Sequence, residues 1–324
     1  MKRLLILLLL VTTLGGGLAA QTVTFNFEEG TLSNQSLREK MERRISSLLT
    51  ELNQAAAYNR PLNLSSLCLT REASARLRRL WENLHFACDY NTNIEKCLRD
   101  VNGYEVRGIL VTLQPTSADY KGVLNRELAI SFDSDSITGV NMTLENNSYQ
   151  DILNNGKDVT DTRRRLEILK FVEDFRSYYD EKDLESLRNI YSEDALIITG
   201  KVVYRRNLGK DQARMKPEIE YSKLNKEQYM SRLETTFRNN KYIKVRFDSI
   251  SVKRHSAKEN FYCVTLRQDW QSSNYSDNGY VFLLWEFTEG KPPMIHVRTW
   301  QPEMVGSRPM TTDEVFTEND FFIP

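Results

Sequence analysis

The chain has 324 residues, of which 40% are hydrophobic and 27% are charged. The length predicts about two domains, and the composition is that of a globular protein, not of a disordered or fibrous one. Lys and Arg together number 44, as do Asp and Glu, so no excess of positive charge favours a nucleic acid partner.

The first twenty residues have the pattern of a secretory signal peptide. Lys2 and Arg3 precede the apolar run Leu4–Val11, and small residues follow up to Ala20. The run is too short to cross a bilayer as a helix, which takes about 20 residues. We therefore expect cleavage near Ala20 and a periplasmic or secreted mature chain without an integral membrane segment. An uncleaved N-terminal anchor is the alternative.

Residues 21–148 are predicted to form a first α+β domain. Apolar residues at helical spacing predict two helices, Leu37–Ala55 and Ala73–Phe86. Ser33 or Asn34 is placed to cap the first of them. Short apolar or alternating runs predict the strands Val23–Phe27, Val106–Leu113, Val123–Phe132 and Ile137–Leu144.

A second domain is predicted over residues 161–302, after an Asn-rich linker at 149–160. Its predicted helices are Leu166–Tyr179, Asp183–Tyr191 and Asn225–Phe237. Its predicted strands are Ala195–Tyr204, Ile243–Arg254, Phe261–Trp270, Gly279–Phe287 and Met294–Trp300. Residues 207–224 are polar and predict an irregular insertion, and residues 303–324 form a tail whose apolar end is expected to dock on its own domain or on a neighbour.

The two halves can be aligned with each other. Residues 61–73 align with 183–195, and Val111–Gln114 aligns with Val264–Arg267. Few residues are identical, but the order of predicted elements is the same in both halves. This order predicts a tandem repeat.

The second half resembles the NTF2-like superfamily, which includes SnoaL-like proteins and ketosteroid isomerases. The resemblance rests on the helix Phe171–Tyr179, on the segments Asp183–Leu187 and Tyr191–Ala195, and on Gly200. It covers residues 162–302, and the first half resembles the family only through the second. The resemblance implies an α+β fold of two tandem cone-like domains, each a curved antiparallel sheet wrapped on helices with an opening for a ligand.

Catalytic residues are not clearly marked. The resemblance places Thr199 where the isomerases have their aspartate base, and a threonine hydroxyl is no proton acceptor near neutral pH. Tyr178 or Tyr179 stands where the isomerases have an oxyanion-binding tyrosine, although a core role is the simpler explanation. His296, with Asp269 or Glu286 on a neighbouring strand, is the best acid–base pair, and a structural histidine is its alternative.

Other chemistry has little support in the sequence. The three histidines and four cysteines lack metal-ligand spacing, so we expect no metal, and no motif indicates a cofactor. Cys88 and Cys97 flank a polar loop, which a disulfide could close.

Aromatic residues on the later strands are the candidate ligand contacts. These residues are Tyr204, Trp270, Tyr280, Trp285 and Trp300. They could stack on an apolar or sugar-like ligand at the mouth of the second cone, or they could simply pack in the sheet core.

The sequence therefore predicts an exported binding or assembly module of the cell envelope, without catalytic activity, whose partner is a small molecule or an envelope protein. The first alternative is an isomerase, cyclase or hydrolase acting in the second cone. The second alternative is a structural spacer.

Overall fold

The computed structural model describes residues 22–94, 96–99, 103–114, 124–144, 152, 162–206 and 215–321. The predicted signal peptide with Ala20, the linker apart from Ile152, and residues 322–324 lie outside the described residues. The described residues form a mixed α+β structure. Its helices are α1 (Gln35–Ala57), α2 (Arg71–Asn83), α3 (Thr162–Asp180), α4 (Leu184–Ile190) and α5 (Lys226–Asn239).

The strands are short in the first half and long in the second. The first half contains β1 (Thr24–Phe27), β2 (His85–Cys88), β3 (Asn91–Ile94), β4 (Lys96–Arg99), β5 (Tyr104–Gln114), β6 (Asn125–Phe132) and β7 (Ile137–Met142). The second half contains β8 (Tyr191–Arg206), β9 (Met215–Leu224), β10 (Ile243–Arg254), β11 (Phe261–Ser272), β12 (Ser276–Glu286) and β13 (Met294–Pro302). The tail adds β14 (Met304–Val305) and β15 (Arg308–Pro309).

Capping side chains fix where several helices begin. The Asn34 side chain accepts a hydrogen bond from the Leu37 amide at 3.0 Å at the start of α1. Thr70 and Asp183 cap α2 and α4 in the same way. The capping side chain accepts hydrogen bonds from amides that have no partner inside the helix, so a polar residue in this position fixes where the helix begins.

Two sheets carry the cores of the two halves. The first has the order β2-β5-β6-β7, with β4 also paired to β5. The second has the order β10-β11-β12-β13-β8-β9, in which only the β13–β8 pair is parallel. A register shift after Asp248, with Ser249 in the left-handed region at φ 52°, bends β10. The bent sheet curls around α3 and α5.

Helix α3 is buried on two sides. Its apolar stripe packs on the second sheet through Ile168, Val172 and Phe175, all completely buried. Its polar face turns towards the first half, where Arg107 on β5 binds Glu173 with Nη1–Oε2 at 2.9 Å. Arg176 donates to the Thr143 carbonyl at 2.7 Å. Glu173 and Arg176 therefore join the two halves instead of facing solvent.

Three sequence predictions fail in the fold. Residues 215–224 are strand β9, paired along its whole length with β8, and not an irregular insertion. The side chains of β9 are largely polar and exposed on both faces, so the sequence lacks the apolar–polar alternation that predicts a strand. Helix α2 ends at Asn83, where Leu84 takes extended backbone angles, so Phe86 lies in β2. Strands β2, β3 and β4 are not predicted because each is four residues long and lacks the alternation that Phe25 and Phe27 give to the equally short β1.

All four cysteines are free thiols. Cys88 and Cys97 pair with β5 at Val111 and Val106, five residues apart on that strand. Five residues of strand span roughly 17 Å, far beyond the Cα separation that a disulfide permits. No helix in the described part of the chain is both long and apolar enough to cross a membrane.

Candidate functional site

The inner face of the second sheet is filled by apolar and aromatic side chains near its centre. Side chains alternate between the two faces of a strand, and on β12 this alternation directs Val281, Leu283 and Trp285 towards α3. Trp285 is completely buried and meets Phe171 and Phe175 edge-on, with ring centroids 4.6 and 6.4 Å away. This part of the cone is closed by side-chain packing.

Three tyrosine hydroxyls converge beside this apolar centre. Tyr179 on α3 and Tyr229 on α5 place their hydroxyl oxygens 2.8 Å apart, and the Tyr191 hydroxyl lies 3.5 Å from that of Tyr179. Burial raises the pKa of Tyr191 and of Tyr229 well above the ordinary value, so both phenols stay protonated and can donate hydrogen bonds.

Arg298 lies against these phenols. An irregularity at His296 shifts the register of β13, so that Val297 faces outwards and Arg298, opposite Leu283, faces inwards. The guanidinium lies 5.2 Å from the centre of the Tyr229 ring. Burial opposes its charge, but the phenols of Tyr229, Tyr179 and Tyr191 outweigh burial and raise the Arg298 pKa. Together these four residues form what we term the tyrosine–arginine cluster.

The Asp277 carboxyl group is within electrostatic reach of Arg298, whose charge lowers the Asp277 pKa, but the two groups form no ion pair. In the described residues no carboxylate lies within ion-pair distance of its guanidinium, and its Nε atom has no hydrogen-bond partner. Two other buried cations are ion-paired: Lys244 binds Asp180 with Nζ–Oδ2 at 3.0 Å, and Arg107 binds Glu173. Arg126, which is as buried as Arg298, also lacks an ion pair among the described residues. A buried charge without an ion-paired carboxylate costs several kcal/mol by order of magnitude, so the burial of Arg298 is energetically unfavourable.

Two half-buried tryptophans stand next to the tyrosine–arginine cluster. The Trp270 ring meets Tyr179 edge-on at 5.7 Å. The Trp300 indole covers Gly279, where an added Cβ would come within 2.7 Å of the ring, so a side chain at this position would displace the tryptophan. The buried Trp300 Nε1 and Gln268 Oε1 atoms have no hydrogen-bond partner within the described residues. An indole donor and an amide acceptor thus remain available on the sheet that carries Arg298.

Asp277 is a carboxyl group on the inner face whose raised pKa suits acid–base chemistry. It stands opposite Trp270 on the inner face, at the start of β12. Burial raises its pKa, while a hydrogen bond from the Tyr275 hydroxyl at 2.8 Å and the charge of Arg298 act in the other direction. Its carboxyl group is therefore more readily protonated than an exposed aspartate.

The predicted ligand contacts divide into two groups. Trp270, Trp285 and Trp300 face the interior, although Trp285 is part of the closed centre. Tyr280 shares the outer face with Phe282, and Tyr204 is 57% exposed on the β8–β9 hairpin. The structure therefore brings three of the five aromatics together; their role in binding stays a prediction.

The predicted catalytic candidates do not meet. Tyr179 belongs to the tyrosine–arginine cluster, whereas Tyr178 faces the first half, beneath the Arg76 guanidinium at 5.2 Å. His296 pairs with Glu286, one of its two expected partners, with Nε2–Oε2 at 2.8 Å. Asp269, the other expected partner, lies near Arg246 instead. The His296–Glu286 pair is on the outer face of the sheet, so it cannot act together with Tyr179.

The C-terminal tail runs along that outer face. Phe316 and Phe321 pack against it, and the Phe321 ring stacks on Phe282 at 5.5 Å. A groove of about 650 Å³ remains between the tail, β8 and β13, with His296 in its wall. No group of three metal-binding side chains occurs in the portion of the chain that the structure covers.

Sequence analysis missed Arg298, Tyr191, Tyr229, Gln268 and Asp277. Arg298 follows Val297 in a strand that alternates outward and inward residues, and strict alternation from His296 predicts it to share that residue's face. The irregularity at His296 moves it to the opposite, inner face. Tyr191 and Tyr229 both lie in predicted helices, and their positions there give no signal that the hydroxyls meet; Tyr191 is in fact the first residue of β8.

Comparisons with known proteins give structural similarity alone. No family model and no curated protein matches the chain. One similar structure is naphthalene 1,2-dioxygenase with indole bound, at 9% identity and a TM-score of 0.36, over 46% of this chain and 83% of that chain. Another is Bdellovibrio bacteriovorus Bd1075, at 14% identity and a TM-score of 0.33, over 64% and 77%.

A third is a putative scytalone dehydratase from Novosphingobium aromaticivorans, at 14% identity and a TM-score of 0.30, over 46% of this chain and 88% of that chain. Similarity at this level supports no conclusion about activity.

Proposed function

We propose that the chain is a non-catalytic binding module in which the second sheet holds a small ligand with an anionic group, bound by Arg298. The observation that carries this proposal is that Arg298 is 5% exposed and has no carboxylate at ion-pair distance among the described residues, Asp277 acting on it only from farther away. An anionic ligand would supply the missing charge. A guanidinium binds a carboxylate through two parallel hydrogen bonds, which makes a carboxylate a suitable group.

The neighbouring side chains define the rest of the ligand. Trp270 and Trp300 are half-buried and offer flat apolar surfaces, and the phenols offer hydroxyl donors. A ring stacks well on an indole, and stacking adds roughly 0.5–1.5 kcal/mol beyond the area it buries. The proposed ligand class is therefore a small aromatic carboxylate.

None of the residues expected to act in catalysis is placed as a proton acceptor beside the tyrosine–arginine cluster, which supports a binding role over catalysis. Thr199 stands where the superfamily resemblance expects the isomerase base, and the phenols of Tyr191 and Tyr229 are held neutral. His296, the expected acid–base residue, is on the opposite face of the sheet.

Asp277 supports one alternative, an isomerase, cyclase or hydrolase of the same ligand class. Its raised pKa and its place on the inner face suit an acid–base group. Mass spectrometry of an aromatic carboxylate incubated with the protein tests this alternative. Conversion of the ligand to a product, lost in Asp277→Asn, would establish catalytic activity and overturn the non-catalytic proposal.

We also infer that the halves are tandem NTF2-like domains, the first without a counterpart of the β8–β9 hairpin among its described residues. In each half the last strand pairs in parallel with a segment that follows the first helix: Ile295 with Tyr191, and Ile137 with Leu69. Leu69 and Tyr191 are also equivalent positions in the sequence alignment of the halves. The order β5-β6-β7 matches β11-β12-β13.

Export to the cell envelope is part of the same proposal and rests on residues 1–20 of the sequence. The mass of the protein recovered from cells tests it. A mature chain that begins near Gln21 supports export, and a chain that retains Met1–Ala20 contradicts cleavage.

A thermal-shift experiment tests the binding function. Benzoate and 2-naphthoate are compared with their neutral amides, because the proposal requires the charge. A ligand at a hundredfold excess over Kd stabilises the protein by about 2.7 kcal/mol. We expect the carboxylates to raise the Tm of the unaltered chain and to have no effect on Arg298→Met.

Arg267→Met is the matched control. Arg267 lies on the same sheet but on the outer face, where it binds Glu303 with Nε–Oε1 at 2.9 Å. This variant should respond to the carboxylates as the unaltered chain does. An equal response to acid and amide, or a response retained in Arg298→Met, would contradict the proposed site.

A further inference from the structure

A basic groove lies in the first half, far in sequence from Arg298. One wall is a polar stripe of α1, in which residues recur every three or four positions, and the other wall is the turn before α2. The groove has a volume of about 340 Å³. The side chains used in the argument below are Ser36, Lys40, Arg43, Arg44, Ser66 and Cys68.

Two of the three cations are held in place by the turn between β6 and β7. Lys40 donates to the Ser134 carbonyl at 2.9 Å and also contacts the Asp135 carboxylate. Arg44 contacts the Asp135 carbonyl. Ordering these long side chains in advance lowers the entropy that a ligand must overcome.

The third cation, Arg43, is exposed and has no acidic partner among the residues described. Asp135 is thus the carboxylate that offsets three positive charges, which leaves an excess of two. The hydroxyls of Ser36 and Ser66 face the groove and have no hydrogen-bond partner in the described structure. The groove therefore combines an excess of positive charge with free donors.

We propose that this groove binds a phosphate monoester. A phosphate monoester carries a charge of about −1.5 to −2 at pH 7 and three acceptor oxygens, which match the excess charge and the number of free donor groups. Arg43 would contribute a bidentate contact, while Lys40 and Arg44 would act mainly as fixed charges. A single carboxylate has two acceptor oxygens and one charge, so it matches the groove less well.

The phosphate could belong to a soluble sugar phosphate or to a lipid headgroup. Cys68 gives a direct probe of either, because it is the exposed cysteine of the four and lies in the groove. Burial raises the pKa of Cys97 to about 11, and that of Cys88 and Cys263 to about 12, so these thiols react slowly. Alkylation by iodoacetamide at pH 7.5 therefore reports on Cys68.

The experiment measures the rate of Cys68 alkylation with glucose 6-phosphate and with glucose. Because bound phosphate shields the groove, we expect glucose 6-phosphate to slow alkylation by about fivefold and glucose to leave the rate unchanged. Vesicles with phosphatidic acid, compared with phosphatidylcholine vesicles, test the lipid source. Protection by the sugar phosphate or by the phosphatidic acid vesicles supports the proposal and identifies the source.

Arg43→Ala is the test variant, and Arg78→Ala is the matched control. Both remove one exposed cation from the first half, but Arg78 is on α2 outside the groove. Exposed substitutions of this kind change stability little, so both variants should fold. Protection should disappear in Arg43→Ala and persist in Arg78→Ala. Protection by glucose, protection that survives Arg43→Ala, or no protection by any phosphate would overturn the proposal.

Discussion

Arg298 is a buried cation whose charge is retained against the cost of burial. Replacement of an imperfectly matched buried charge by an apolar side chain of similar length is often neutral or stabilising by about 1–4 kcal/mol. We therefore expect Arg298→Met to have an unchanged or higher free energy of unfolding in urea. A loss of more than about 2 kcal/mol would show that the guanidinium supports the fold, and would weaken its assignment to a ligand.

Removing the hydroxyl of Tyr179 and that of Tyr191 in separate variants compares the contributions of the two groups to the free energy of unfolding. The Tyr179 hydroxyl bonds that of Tyr229 at 2.8 Å, whereas the Tyr191 contact, at 3.5 Å, is at the limit of a hydrogen bond. Tyr179→Phe leaves a buried hydroxyl without its partner and should cost about 1–2 kcal/mol. Tyr191→Phe should cost less. Equal losses in urea denaturation would contradict the described geometry.

At the scale of residues, the sequence predicts which aromatic residues belong to the sheet better than it predicts the face towards which each side chain points. The inward positions of Trp270, Trp285 and Trp300 follow from strand alternation once the register is known. The outward position of His296 and the inward position of Arg298 depend on an irregularity in β13 that no local pattern marks. The meeting of Tyr179, Tyr191 and Tyr229 is tertiary, since the three lie on different elements.

At the scale of elements, the contact between α3 and β5 depends on the Arg107–Glu173 pair. Both side chains are almost fully buried, and Glu173 also accepts from the Leu144 amide at 3.0 Å. Removal of Glu173 leaves Arg107 paired with Glu105, whose Oε1 lies 2.6 Å from Nη1, so Glu173→Leu should cost about 1.5–3 kcal/mol for the lost charge-assisted hydrogen bonds. The double variant Arg107→Met with Glu173→Leu should recover much of this loss.

Urea denaturation of the single and double variants measures the coupling between the two residues. The exposed pair Arg205–Glu218 on the β8–β9 hairpin is the control, and its removal should have a much smaller effect. Additive losses for Arg107 and Glu173 would contradict a buried ion pair.

Elements with a buried face were predicted well, and those without one were not. The stripe of α1 and the alternation in β10 to β13 gave the correct elements because one side of each faces a core. Strand β9 has no face on a core, and its largely polar sequence therefore does not predict a strand. The polar face of α3 predicts a solvent-facing surface, yet it is covered by the first half through Arg107 and Arg76.

At the scale of the whole molecule, the junction between the halves contains a carboxyl group with a raised pKa. Glu181 on the α3–α4 turn lies 3.6 Å from Arg76 on α2, and burial raises its pKa to about 7. Arg76 and Arg79 act in the other direction, while Asp183 and Asp174 add to the rise. The native state therefore holds a proton that the unfolded chain releases near pH 4.5.

This proton makes the contribution of Glu181 to stability depend on pH. Between pH 5 and pH 7 the folded chain binds more protons at this group than the unfolded chain, so the free energy of unfolding falls as pH rises, by about 2–3 kcal/mol. Glu181→Gln should remove this component. Urea denaturation of both proteins at pH 5 and pH 7.5 measures it, and an identical pH dependence would contradict the raised pKa.

The central claim, that the tyrosine–arginine cluster binds a small carboxylate, is tested most directly by NMR. The chain has four tryptophans. Trp270, Trp285 and Trp300 lie on the inner face of the second sheet, and Trp81 lies in the first half with its indole donating to the Arg60 carbonyl at 3.1 Å.

Indole N–H signals of the ¹⁵N-labelled protein, assigned by single Trp→Phe variants, are recorded during titration with 2-naphthoate. We predict saturable shifts of the Trp270 and Trp300 signals, none at Trp81, and no shifts in Arg298→Met. Shifts at Trp81 alone, or the same shifts in Arg298→Met, would contradict the claim.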